Sequence, residues 1–169
     1  MKSIDLLKTA LGVSENASLQ LIEDMKNAPL TAPTPAGGNH PHWVLGHITF
    51  IEGGLPKILF GEPNPVQHLA PLFAAGTQPD PQGRGYPPYE ELIRTFRDLR
   101  ARNIKTLEQL GEAGLDKPTV SPPPGLEDLL KTAGDTFLVI SMHHMTHRGQ
   151  VADARRAIGR TPMFTPNMR

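Results

Sequence analysis

Ile140-Ser141-Met142-His143-His144-Met145-Thr146-His147-Arg148-Gly149-Gln150-Val151 is the stretch whose reading decides the fold. It sits in a run, 126–158, in which Leu126, Leu130, Ala133, Phe137, Ile140, Val151, Ala154 and Ile158 recur at helical spacing. That stripe predicts one long amphipathic helix with a buried face, stopped by Gly159 and Pro162. On a wheel of about 100° per residue with Ile140 at zero, His147 falls at about −20°, His143 at about −60° and His144 at about +40°. All three lean towards the interior. A neutral imidazole is costly to bury without a partner, and clustered imidazolium ions are worse. A shared divalent cation is the simplest answer, because each ring offers it one lone pair. His143 and His147, four apart, can chelate one ion from a single helix. His144 and His147, three apart, form a geometric rival. For any one ring alone, the plainer reading is a hydrogen-bonded core histidine.

Working outward, a second stretch repeats the pattern. Asn39 is the expected N-cap and Pro41 stands in the first turn, where its missing N–H is harmless. Trp43, Val44, His47, Ile51, Leu55 and Ile58 then share one face. Pro56, helped by Gly53-Gly54, is expected to kink or shorten this helix. His47, mid-stripe, offers a third imidazole from a neighbouring helix. A third helix is predicted over 89–110, with Leu92, Ile93, Phe96, Leu99, Ile104 and Leu107 as its stripe. A first covers 4–27, broken into two pieces at Gly12-Val13-Ser14 with Ser14 capping the second.

Sixteen glycines and eighteen prolines make up about a fifth of the chain, against roughly 12% on average. They concentrate in three connections, 28–38, 61–88 and 117–125, read as irregular. The whole is an all-α, four-helix bundle with long Pro/Gly-rich connections, taken as a single domain over 1–169 with an irregular tail from 161.

Composition removes many functions. With 169 residues and no cysteine, the chain has no disulfide framework, no thiolate zinc site and no cysteine nucleophile. Lys+Arg and Asp+Glu are both 17, so no basic surplus argues for nucleic acid. No apolar run approaches the roughly 20 residues of a membrane span. Asp5 and Lys8 interrupt any secretory h-region, so a cytoplasmic setting is expected. Of seven histidines, six fall within 40–47 and 143–147, which is where chemistry is sought.

His143-His144-Met145-Thr146-His147-Arg148-Gly149-Gln150, followed by Ala154-Arg155-Arg156-Ala157-Ile158-Gly159, resembles the last helix of the DinB-like (YfiT-like) metal-binding superfamily. Trp43-Val44-Leu45-Gly46-His47 with Glu52 resembles that family's second helix. The order of elements agrees over most of the chain, while 61–125 carries no matching motif. The resemblance implies a four-helix bundle holding a divalent ion through His47, His143 and His147, with His144 outside the triad. It also implies kinship with transferases or isomerases that use low-molecular-weight thiols, and with proteins that often form homodimers.

Three protein ligands leave coordination positions open, the catalytic pattern rather than the closed structural one. All-nitrogen ligation suits Zn²⁺, Ni²⁺, Fe²⁺ or Cu²⁺ better than Mg²⁺ or Ca²⁺. An open ion lowers the pKa of a bound water or thiol and polarises a substrate oxygen. The expected function is therefore a metal-dependent transferase or hydrolase acting on a small molecule. The alternative is a non-catalytic protein in which the ion serves structure or ligand binding. Gln150, Asp153 and Arg148 are candidates to support the site, Asp153 and Arg148 having plainer readings as surface or salt-bridge charges. Trp43 and His144 are candidate pocket walls. Glu52, about 140° round the wheel from His47, is expected to face outward. His40 and His42 are read as loop or cap residues and His68 as a surface residue.

Overall fold

Helix α1 (Ser3–Met25) runs unbroken through Gly12-Val13-Ser14, contrary to the expected division. Ser14 is buried and donates its hydroxyl to the Leu11 carbonyl at 3.0 Å, so it bonds back into the helix instead of capping a new one. Leu7, Leu11, Leu21, Ile22 and Met25 then bury along one continuous helix. That gain exceeds the roughly 1 kcal/mol an interior glycine costs.

Helix α2 (Pro41–Phe60) is capped by His40, not Asn39: the His40 ring nitrogen accepts from the Trp43 N–H at 3.2 Å. Pro56 neither ends nor shortens it. A proline removes the N–H that the carbonyl four residues back would accept, here that of Glu52. The side-chain amide of Asn103 donates to that carbonyl instead, at 3.0 Å. Gly61, at φ +73°, closes the helix in the left-handed conformation that suits a residue without Cβ.

The connection 61–88 is not structureless. It contains a turn of 3₁₀ helix (Gln67–Leu69) and a one-turn helix, α3 (Ala70–Phe73), which pack on α2. Helix α4 (Tyr89–Gly114) extends beyond the predicted end and bends at Gly111, where φ is +61°. Helix α5 (Ala133–Ala157) begins seven residues later than the stripe suggests. Leu126 and Leu129 are exposed, and the chain there closes on itself through turns. The start is set by Thr132, whose hydroxyl accepts from Asp135 N–H at 3.1 Å while the Asp135 carboxylate accepts from the Thr132 N–H at 3.0 Å. Within the connection 117–125, Pro118 forms an isolated bridge with Thr132, and there is no strand among the described residues.

The computed structural model describes residues 1–163; the end of the tail, 164–169, lies outside the described residues. Helix α1 packs chiefly on α5 and α2 on α4, with α2 also against α5. This is the all-helical bundle expected. Its core is in two parts. One gathers Trp43, Ile48, Phe73, Phe96 and Val151, the other Leu11, Leu55, Leu107, Phe137 and Ile140. Along every long helix a buried polar residue falls between them: Ser14 and Ser18 on α1, Glu52 on α2, Arg100 and Asn103 on α4, His144 on α5. Among the described residues, no helix is long and apolar enough to cross a membrane.

Candidate metal centre

His47 lies mid-way along α2, and His143 and His147 lie one turn apart on α5. One nitrogen from each lies within 4.8 Å of the other two. The ring centroids are 4.5 Å apart for His143 and His147, 4.7 Å for His47 and His147 and 5.2 Å for His47 and His143. His47 and His147 are buried and His143 is half-buried.

Two rings have their outer nitrogens occupied. His47 Nδ1 is 2.7 Å from the Phe73 carbonyl oxygen. A carbonyl only accepts, so Nδ1 carries the hydrogen and Nε2 presents its lone pair inward. His147 Nδ1 is 2.9 Å from Gln150 Oε1, an oxygen that also accepts from the Asn39 amide at 3.1 Å. The same logic leaves His147 Nε2 as a bare acceptor. His143 Nε2 is 3.0 Å from His47 Nε2. Two facing imidazole nitrogens at that distance share either one proton or one cation.

Burial governs the charge of these rings. It pushes His47 and His143 down from the ordinary 6.5 to about 4, His143 helped by the nearby His147 and His47. It also lowers His147, against the opposing hydrogen bond to Gln150. All three are therefore neutral donors near neutral pH, the state a metal requires. Nitrogens bound to one tetrahedral ion at about 2.1 Å stand roughly 3.4 Å apart, close to the 3.0 Å between His47 Nε2 and His143 Nε2 and inside the 4.8 Å within which all three nitrogens lie. The donor set, its tautomers and its burial fit a divalent transition metal. His47, His143 and His147 are the residues that would hold it.

Around this cluster the other candidates separate. Trp43 stacks on His47 at 4.7 Å with planes 9° apart, its indole N–H donating to the Leu72 carbonyl and the Thr77 hydroxyl. Gln150 orients His147, as described. Arg148 donates Nε–H to the Ala17 carbonyl at 3.2 Å and ties α5 to α1. Asp153 is exposed and paired with Arg156 at 2.7 Å, with no hydrogen bond to the histidines. His144 is no pocket wall. It is fully buried, and its Nδ1 accepts from Arg100 Nη2 at 2.8 Å.

Glu52 is the largest departure from the sequence reading. It is 0% exposed, not outward-facing. One carboxylate oxygen accepts from Arg100 Nη2 at 2.7 Å and the other from the Asn103 amide at 2.7 Å. Arg100, 1% exposed, also donates to the Leu11 carbonyl. Burial, then Arg100, holds His144 well below the ordinary histidine range, so it is a neutral acceptor beside a paired charge. Neither Arg100 nor Asn103 was singled out in the sequence, although both stand on the apolar side of α4 close to Leu99 and Leu107. That placement was the available signal. His40 and His42 hold the connection instead of the cluster: His40 Nε2 bonds to the Asp80 carbonyl at 3.0 Å and His42 Nε2 to that of Pro87 at 2.9 Å. His68 is exposed.

The fold and site define an all-helical bundle whose second and last long helices present three imidazoles that could hold one metal ion. The family model of the DinB superfamily matches residues 10–151, and the chain belongs to that superfamily. No curated protein matches the sequence closely enough to count as a relative.

Proposed function

We propose that this protein is a metal-dependent enzyme that acts on a small molecule, by transfer of a low-molecular-weight thiol or by hydrolysis. One observation carries the reading: three neutral imidazole donors converge from two helices, and no hydrogen bond joins a carboxylate to any of them. An ion held so keeps its full positive charge and supplies Lewis acidity together with affinity for an anionic nucleophile, thiolate or hydroxide. Imidazole ligation favours Zn²⁺, Ni²⁺ or Fe²⁺ for this role, with Cu²⁺ suited to the same donors. The chain's own residues do the positioning. Phe73 and Gln150 hold His47 and His147 in the tautomers that face inward, and Trp43 walls one side of His47. Thiol transfer would need a diffusible thiol, because the chain contains no cysteine.

A homodimer in the cytoplasm is part of the same proposal. The support for the dimer is an apolar surface of Leu138, Met142 and Met145 on α5 beside Leu6 on α1, all more than 40% exposed.

The test uses protein purified without an affinity tag. Elemental analysis is expected to find close to one transition metal per chain, and His147→Ala to lose it. A panel of thiols with electrophilic acceptors, and of hydrolysable esters and amides, is then run on wild type and His147→Ala. Turnover by the wild type alone supports the enzyme. Metal binding with a fall in melting temperature on chelation, but no turnover, would favour a non-catalytic role for the ion.

A further inference from the structure

The motif residue between Leu45 and His47 is a glycine whose position nothing in the triad itself explains. A Cβ built on Gly46 would overlap ring atoms Cδ1, Cε1 and Cζ of Phe73, far inside van der Waals contact. Phe73 is fully buried, so its ring has no open space into which to retreat. The same short helix α3 that carries this ring carries the carbonyl oxygen 2.7 Å from His47 Nδ1. Side chain and carbonyl of one residue thus meet two consecutive residues of α2.

The surrounding contacts hold this arrangement. The Trp43 indole N–H donates to the Leu72 carbonyl at 3.1 Å and to the Thr77 hydroxyl at 3.2 Å. That hydroxyl is itself tied to the Leu72 and Ala74 carbonyls. Seven residues, about two turns, further along, a Cβ on Gly53 would overlap Asn64 and Val66 of the same connection. The 64–77 segment is therefore a strap seated on α2 through two glycines seven residues apart.

We infer that Gly46 and Phe73 are positioning residues for the metal centre: the glycine admits the ring, and the seated ring fixes the carbonyl that holds His47 with Nε2 bare and facing His143 and His147. The inference rests on the triad being a metal site. A carbonyl behind a ligating imidazole sets tautomer and ring orientation, and loss of such a partner typically weakens affinity 10–100-fold.

The experiment has two independent readouts. Long-range proton–nitrogen NMR on the metal-free protein reports the His47 tautomer, and Co²⁺ titration followed by visible absorption reports affinity. Wild type is expected to show His47 protonated at Nδ1. Gly46→Ala is expected to lose that single tautomer and to bind Co²⁺ at least about tenfold more weakly. In a Phe73→Ala background the same glycine change is expected to add less than twofold, because the overlapping ring is gone. Thr77→Val, which keeps shape and removes one hydroxyl, is expected to act in the same direction more weakly, and it decides the matter if Gly46→Ala does not fold. A folded Gly46→Ala with wild-type tautomer and Co²⁺ affinity overturns the inference, as does an equal loss in the Phe73→Ala background. Failure of the wild type to bind Co²⁺ overturns the metal reading alone, since the tautomer spectrum still tests the strap.

Discussion

His143 and His144 are sequence neighbours set in two opposite polar environments. His144 belongs to a layer whose members largely satisfy one another: Arg100 bridges Glu52, His144 and the Leu11 carbonyl, and Asn103 takes the other Glu52 oxygen. His143 belongs to a cluster whose three inward nitrogens meet only one another, His143 Nε2 standing 3.0 Å from His47 Nε2, with no charged group hydrogen-bonded to them. The contrast separates buried polarity that builds a protein from buried polarity that awaits a ligand. The first balances its charge and pairs most of its polar atoms, leaving Arg100 Nε and His144 Nε2 without a hydrogen-bond partner. The second turns the outward nitrogens of His47 and His147 to partners and leaves the inward ones facing one another.

The largest effect should come from breaking the closed layer. Arg100→Met leaves the Glu52 carboxylate buried without its partner, and urea unfolding of the metal-free protein is expected to show a loss of about 3–5 kcal/mol. Replacing both charges, Glu52→Leu with Arg100→Met, should recover much of it, because a well-packed apolar pair often matches a buried ion pair. A loss below about 1 kcal/mol for Arg100→Met would mean the layer does not hold the bundle.

The open cluster should reveal itself through pH. His47 and His143 titrate near 4 when folded and near 6.5 when unfolded. As pH falls through 6.5 the unfolded chain takes up protons that the folded one refuses until about 4. Metal-free stability is therefore whole above 6.5, declines between 6.5 and 4, and levels off below. The drop is of order 3 kcal/mol for each ring. Denaturant melts at half-unit pH steps measure it, and His143→Phe should flatten the slope by roughly half.

The smallest effect separates orientation from mere proximity. Gln150→Leu removes the acceptor behind His147 and is expected to weaken zinc about tenfold by competition with a chromophoric chelator, with little change in metal-free stability. Asp153→Asn, three residues further along, should leave zinc affinity unchanged. Equal losses from both would show that the acceptor behind His147 is not special.

The two regions were not equally legible. The open cluster was partly legible: spacing brings His47, His143, His144 and His147 to one interior and leaves two rival pairs with His147, and the family resemblance implies the pair His143 and His147. The closed layer was not. Glu52 reads as outward because the wheel measures direction against a helix's own stripe. That measure fails for α2, whose buried residues include Pro41, Trp43, Leu45, His47, Thr49 and Glu52 and so surround the axis. A central helix has no outward side. The late start of α5 was missed for a related reason. Leu126 and Leu130 keep helical spacing, yet the Thr132–Asp135 cap and the pairing of Ala133 N–H with the Lys117 carbonyl end the preceding turns there.

By itself, then, the amino-acid order determined the helical class, the number of long helices and the four rings, His47, His143, His144 and His147, from which a shared site could be drawn. Periodicity of 3.6 is a local property, and a chelating pair four residues apart needs nothing beyond its own helix. Tertiary structure alone decided what stands behind each ring: the Phe73 carbonyl 26 residues from His47, and Arg100 44 residues from His144. Hydrogen-bond partners so distant in the chain leave no periodic trace, because only the packing of one element on another brings donor and acceptor together.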